Sequence, residues 1–466
     1  MRRKIVLRAT ATAAAATLAA ATAAPQARAA DTATPVDGVW TTDGYATVLS
    51  IDHGRMTGYE TTAVSCLPAF TAGATGPVGS EGRVAFTDDD GDVIRVWRDG
   101  PRGHLTIDGS VGVRGLRRTA ALPARCTRPT PKDPRATFDV FWQAFAENYP
   151  FFAAKGVDWD AVRRRYRPQV TADTTGDRLA AILDEMIAPL HDAHTMLIAD
   201  GRRYFHIRPG TTLPSPDYDA RIKAFIAKRD TPLRDFAQGR ISYADLPGGL
   251  GYLRISGFGG YTDEDTYAAN AAELDRTLDA VLTPARTSGP TALRGLIIDL
   301  RVNGGGSDEL GLRIASRLTG RPYTAYAKRV RNDPENPAGF TRPQPIRVRP
   351  ADAPVYRGPV ALLTGGSTVS AGETFTQALM DRSPRPVRIG ANTQGVFSDI
   401  LDRKLPNGWA FGLPDEEFLT RTGRTFDGPG IPPDIRTPVF TDAELAEGRD
   451  SAFDRAVALL SGRAVR

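Results

Sequence analysis

The chain has 466 residues, 41% of them hydrophobic, and a formal net charge of +5. That is enough apolar material for two or three packed domains. So small a charge, with basic residues interspersed among acids, argues against a nucleic-acid-binding protein. No uninterrupted apolar run of about eighteen residues follows residue 30, which argues against a membrane-spanning one.

Residues 1–30 open with Arg2, Arg3, Lys4 and Arg8, continue through an Ala/Thr/Leu stretch without acids, and close on Ala27-Arg28-Ala29-Ala30. A charged start, an apolar middle and a small-x-small end form an export signal, so the mature protein is expected to be secreted, without stable membrane association. The only cysteines are Cys66 and Cys126. In an exported chain an isolated pair is expected to be bridged, here as a clasp around an N-terminal domain.

Residues 31–130 alternate apolar and polar in short runs separated by turns, as in Arg83 to Thr87, Val93 to Trp97 and His104 to Ile107. The pattern predicts a small all-β barrel or sandwich. The run Asp88-Asp89-Asp90-Gly91-Asp92 reads as a hairpin turn, since it lacks the spacing and distal Glu of a calcium loop. After Pro129, Pro131 and Pro134 the period becomes helical over 131–200, with Phe138, Phe141, Trp142, Phe145 and Tyr149 on one stripe. Further helices are expected at Trp159 to Tyr166 and Asp177 to Leu190. Residues 201–244 read as a linker, 245–440 as a parallel-rich α/β core, and 441–466 as a C-terminal helix. Within the core, Gly295 to Leu300 and Val360 to Thr364 are continuous apolar strands, each followed by a glycine turn and a helix.

Reactive groups in such sheets lie where strand ends feed helices. The first turn, Asp299-Leu300-Arg301-Val302-Asn303-Gly304-Gly305-Gly306, offers backbone N–H groups for an oxyanion, with Gly305 the favoured donor. It lacks the Lys-Ser/Thr of a phosphate loop. The second, Thr364 to Glu373, places Ser370 at the start of a helix, with the Ala371 amide as a second oxyanion donor. Ser370 with Glu373 three residues on also fits a simple capping box. His191 and His194, one turn apart, fit a metal pair, but no third ligand is evident.

The succession Asp299-Leu-Arg-x-Asn-Gly-Gly-Gly, Ser370-Ala-Gly-Glu, Gly390-Ala-Asn-Thr-Gln-Gly395 and Gly430-Ile-Pro-Pro-Asp434 resembles the tail-specific (C-terminal-processing) serine protease family over residues 245–440. The branch it is most similar to contains the tricorn protease core and the interphotoreceptor retinoid-binding protein modules. The segment Leu190-His191-Asp192-Ala193-His194-Thr195 resembles that branch as well. The resemblance implies a ClpP/crotonase-like core and Ser370 as nucleophile. Where one branch carries a lysine base this chain has Val396, so a Ser–Lys pair is disfavoured, with Lys404 the nearby alternative. The tricorn-like branch implies His194 as base and an acidic residue, here Asp427, orienting the site. About fifty residues separate Asp200 from Tyr252, too few for the PDZ domain of many members. The expected activity is acyl transfer to water from a peptide or unfolded protein, with no metal or organic cofactor. The alternatives are an inactive relative that binds a peptide or apolar ligand, and a serine esterase, for which no Gly-x-Ser-x-Gly elbow is present.

Overall fold

The computed structural model describes residues 33–228 and 232–462; the expected export signal lies outside them. None of the described helices is long and apolar enough to cross a membrane.

The N-terminal alternation resolves into a closed barrel of eight strands, from Gly38–Thr42 to Arg114–Thr119, in which each strand pairs antiparallel with the next and the first with the last. Closure leaves no sheet edge. Inward residues including Trp40, Leu49, Phe86 and Leu105 form its core, and the Trp40 indole donates to Val36 O at 2.8 Å. Cys66, which opens the fourth strand, is disulfide-bonded to Cys126 in the turn that leaves the barrel.

Asp133 caps the helix Pro134–Asn148 by accepting from the Arg135 and Ala136 amides. The aromatic stripe of that helix packs on the helices Trp159–Tyr166 and Gly176–Ile187 and on Phe411. Trp142 and Trp159 exchange indole-to-carbonyl hydrogen bonds of 3.0 Å. This layer sits against a four-stranded sheet ordered Arg202–Phe205, Met196–Ala199, Ala410–Pro414, Ile400–Lys404.

The central sheet has seven strands, in the order Arg234–Phe236, Ile241–Leu246, Leu250–Ile255, Gly295–Asp299, Val360–Thr364, Val387–Gly390, Ile435–Arg436. The last five run parallel and the first two antiparallel. Leu296, Ile298 and Leu362 face one apolar cluster, and Ile297, Ala361 and Leu363 face another. Burial on both faces explains the unbroken apolar runs.

Two expected boundaries are corrected. Residues 201–244 are not a linker: Arg234–Phe236 and most of Ile241–Leu246 extend the central sheet, and Ile222 and Ile226 of the helix Pro216–Ala227 enter its core. The edge strand Arg234–Phe236 is short and mostly exposed, so its sequence carries no apolar signature. The C-terminal segment is two helices rather than one, Asp442–Glu447 and Ser451–Leu460, broken at the left-handed Gly448. Asp450 caps the second and holds Arg301, whose guanidinium is wholly buried between Asp299 and Asp450 at 2.5–2.6 Å.

Closing a loop across 60 residues corresponds to about 4 kcal/mol in the chain-entropy relation. The Cys66→Ser, Cys126→Ser double variant is therefore expected to lose about that much stability in denaturant unfolding of the barrel; a loss below about 1 kcal/mol would contradict the clasp.

Candidate active site

The site is built where two neighbouring parallel strands end. Beyond Gly295–Asp299 and Val360–Thr364, the short strands Val302–Asn303 and Ser367–Thr368 pair in parallel, which sets the two turns side by side. Asn303 is fully buried: its Nδ2 donates to Ile255 O (2.8 Å), its Oδ1 accepts from Gly305 N (2.9 Å), and its carbonyl accepts from Val369 N (3.1 Å). Gly304 N donates to Ser256 O, while Gly305 O and Ser307 N bond the two sides of Phe258.

This pattern corrects the expected oxyanion donor. The Gly305 N–H is turned to Asn303, whereas the Gly306 N–H meets no hydrogen-bond acceptor among the described residues. Gly306 has φ +146°, and a Cβ there would lie 2.0 Å from Phe258 O, so only glycine fits. Gly305 has a different task. A Cβ on it would lie 2.5 Å from Ser370 Cβ and 3.0 Å from Ser370 Oγ, so its bareness makes room for the serine.

Ser370 has φ 59° and ψ −127°, a costly conformation for a residue with a side chain. It stands at the N-cap of the helix Ala371–Ala378, yet its hydroxyl makes no capping bond. The two carboxylate oxygens of Glu373 accept from Gly395 N (2.6 Å) and Val396 N (2.7 Å), beside the Ser370 amide. The hydroxyl half of a capping box is therefore missing, and Ser370 lines the cavity instead. Ser370 N donates to Val396 O at 2.9 Å, and the buried Ala371 N–H has no acceptor among the described residues. Gly306 and Ala371 are thus the two available amides at this point.

His194 arrives from the other side. After the helix Gly176–Ile187 the chain turns at the left-handed His191, which is exposed. Asp192 then holds the turn: Oδ1 accepts from His194 N (3.0 Å), Oδ2 from the Tyr149 hydroxyl (3.0 Å), and its carbonyl from Thr195. Ala193, the residue before His194, packs with Val369, the residue before Ser370, and with Val396. His194 and Ser370 consequently line one cavity of about 520 Å³, together with Gly304, Gly306, Leu213 and Pro214.

The lysine alternatives do not reach. Val396 is 2% exposed in that apolar cluster, and the Lys404 ammonium donates to Ala69 O of the barrel at 2.7 Å. Asp427 accepts from Phe397 N (3.1 Å) and the Thr425 hydroxyl (2.6 Å). Burial raises its carboxyl well above the usual carboxylate range, and the neighbouring Asp192 and Glu373 reinforce this. The carboxylate bonded to the histidine's own turn is Asp192, which the sequence shows only as the Asp-x-His spacing. Asn303 was visible within the glycine motif, but its partners lie on distant strands.

Comparison with known proteins agrees with this architecture. Residues 249–437 match peptidase family S41, and residues 130–188 match the tricorn protease C1 domain. Tricorn protease homolog 1 of Streptomyces coelicolor is 24% identical over 299 residues, covering 61% of this chain. The match spans about a quarter of that relative's length (24%). A crystallised candidate peptidase from Parabacteroides merdae superposes with a TM-score of 0.58 at 26% identity, covering 71% of this chain and 97% of that one. Mature CPAF shares the fold at a TM-score of 0.51 and 14% identity, over 71% of this chain and 96% of its own. The strand-end turns, the serine and the glycine loop all lie within residues 249–437, and this core belongs to peptidase family S41.

Proposed function

We propose that the chain is a serine peptidase that cleaves peptides or unfolded proteins through an acyl-enzyme on Ser370. The observation that carries this reading is the meeting of Ser370, His194 and Gly306 around one cavity, with an apolar valine where a lysine base would stand. Ser370 Oγ attacks the peptide carbonyl carbon while His194 accepts its proton. The Gly306 and Ala371 amides hold the oxyanion. His194 then gives the proton to the leaving amine, and a water molecule, deprotonated in turn by His194, hydrolyses the ester. Asp192 fixes the His194 turn, and Asp427 supports the floor through the amide of Phe397, next to Val396. The Cys66–Cys126 bridge supports a secreted location, since such bonds persist in oxidising compartments.

Glu373 gives the site a pH-dependent support. Burial pushes its carboxyl up to about 7 from the ordinary 4.5, against hydrogen bonds from Thr393 and the Gly395 and Val396 amides that lower it. A carboxyl raised on folding holds its proton more tightly in the native state. Its contribution is therefore present below about 4.5 and lost as pH rises through about 7.

Purified protein is expected to cleave casein and to be labelled by a fluorophosphonate. Ser370→Ala should abolish both, and His194→Ala should lower turnover by about 10³-fold or more; wild type inert to both reagents would overturn the peptidase reading. Gly305→Ala should cost about 100-fold in kcat by displacing the serine, whereas unaltered kinetics would show that Ser370 has room to spare. Wild type should melt at a lower temperature at pH 8 than at pH 5, and Glu373→Gln should flatten that difference. An equal slope in both proteins would remove Glu373 as its source.

A further inference from the structure

Residues 206–215 cross the site as a strap between the strand Arg202–Phe205 and the helix Pro216–Ala227. Its start is tied to the helical layer, with His206 Nε2 at 2.7 Å from Asp184 Oδ1. Its end is fixed by Ser215, which caps the following helix through Tyr218 N. Between these points Arg208 makes the one charged grip on the catalytic core. Its Nε donates to Gln394 O (2.9 Å) and its Nη2 to Thr393 O (2.6 Å). Thr211 folds the strap back by donating from both its amide and its hydroxyl to Arg208 O.

The turn that Arg208 grips is the bed of the nucleophile. Val396 O receives Ser370 N, Gln394 N donates to Thr368 O, and the Gly395 and Val396 amides point to Glu373. The carbonyls of Thr393 and Gln394 are received by the planar, permanently charged fork of Arg208. Beside the grip, Ile207 and Leu213 pack on Ala193 and Val369, the residues before His194 and Ser370, and on Val396. Leu213 and Pro214 close the cavity wall.

We propose that Arg208 is a positioning residue for the Ser370–His194 reaction: it fixes the turn under Ser370 and draws the strap onto Ala193 and Val369, the residues next to the histidine and the serine. It touches no reacting atom. The inference rests on the peptidase reading above. A misplacement of about 1 Å between nucleophile and base costs on the order of 100-fold in rate, so the effect belongs in kcat and in serine reactivity rather than in KM.

The test measures fluorophosphonate labelling rate, and kcat and KM on a fluorogenic peptide, for wild type, Arg208→Gln, Arg208→Lys and Ile207→Ala. Arg208→Gln is expected to slow labelling and kcat together by about 10- to 100-fold, with KM nearly unchanged. Arg208→Lys, which keeps one donor for one carbonyl, should recover part of the loss. Ile207→Ala loosens the strap without touching the grip, and should lower kcat in the same sense should Arg208→Gln fail to fold. Labelling and kcat within about twofold of wild type in all three variants would overturn the proposal while leaving the peptidase intact. A rise confined to KM would overturn it too, reducing the strap to a wall of the substrate cavity. Wild type that resists the fluorophosphonate overturns both readings at once.

Discussion

The Asn303 side chain lies entirely out of water, and burying an amide is tolerable only when both its ends are bonded. Its Nδ2 answers Ile255 O on one strand, and its Oδ1 answers Gly305 N in the turn that follows. Its backbone carbonyl answers Val369 N, one residue before the serine. A single residue therefore sets the register between three strand ends. By engaging the Gly305 amide it also determines which glycine presents a free N–H to the cavity. Gly372 completes the fit, because a Cβ there would lie 2.6 Å from Asn303 Oδ1.

Against this frame the unfavourable backbone of Ser370 is held by its surroundings. A left-handed residue with a side chain costs roughly 1–3 kcal/mol and persists only where neighbours over-determine it. Here the amide of Ser370 is fixed by Val396 O, and its carbonyl accepts from Glu373 N and Thr374 N. Glu373 in turn ties the helix to the turn that supports the serine. The strain frees the hydroxyl from capping its own helix, which is the ordinary fate of a serine at that position.

Much of this was legible in the sequence wherever the signal was periodic or local. The barrel strands, the helical stripe from Phe138 to Tyr149 and the two-sided strands at Gly295 and Val360 follow from burial pattern alone. Ser370, His194 and the valine at 396 could be read from motif order. What could not be read were destinations. The local spacing of Glu373 suits a capping box as well as it suits a bond to residues 395 and 396. Nothing near Gly305 discloses that Asn303 captures its amide, because the conflict exists only once the turn is folded. Arg208 and the edge strand at Arg234–Phe236 bury too little apolar surface to leave a pattern.

The buried Asp299–Arg301–Asp450 triad carries a consequence for the order in which the molecule is made. Arg301 opens the glycine turn, yet one of its two carboxylate partners lies 149 residues later. A guanidinium this deep is strongly unfavourable without its counter-charges. Until the ribosome has released Asp450, the turn beside Ser370 lacks part of the charge balance that lets Arg301 stay inside. A chain still being synthesised would thus hold its serine, histidine and glycine loop without the anchor that packs them, and competence would arrive with the last helix.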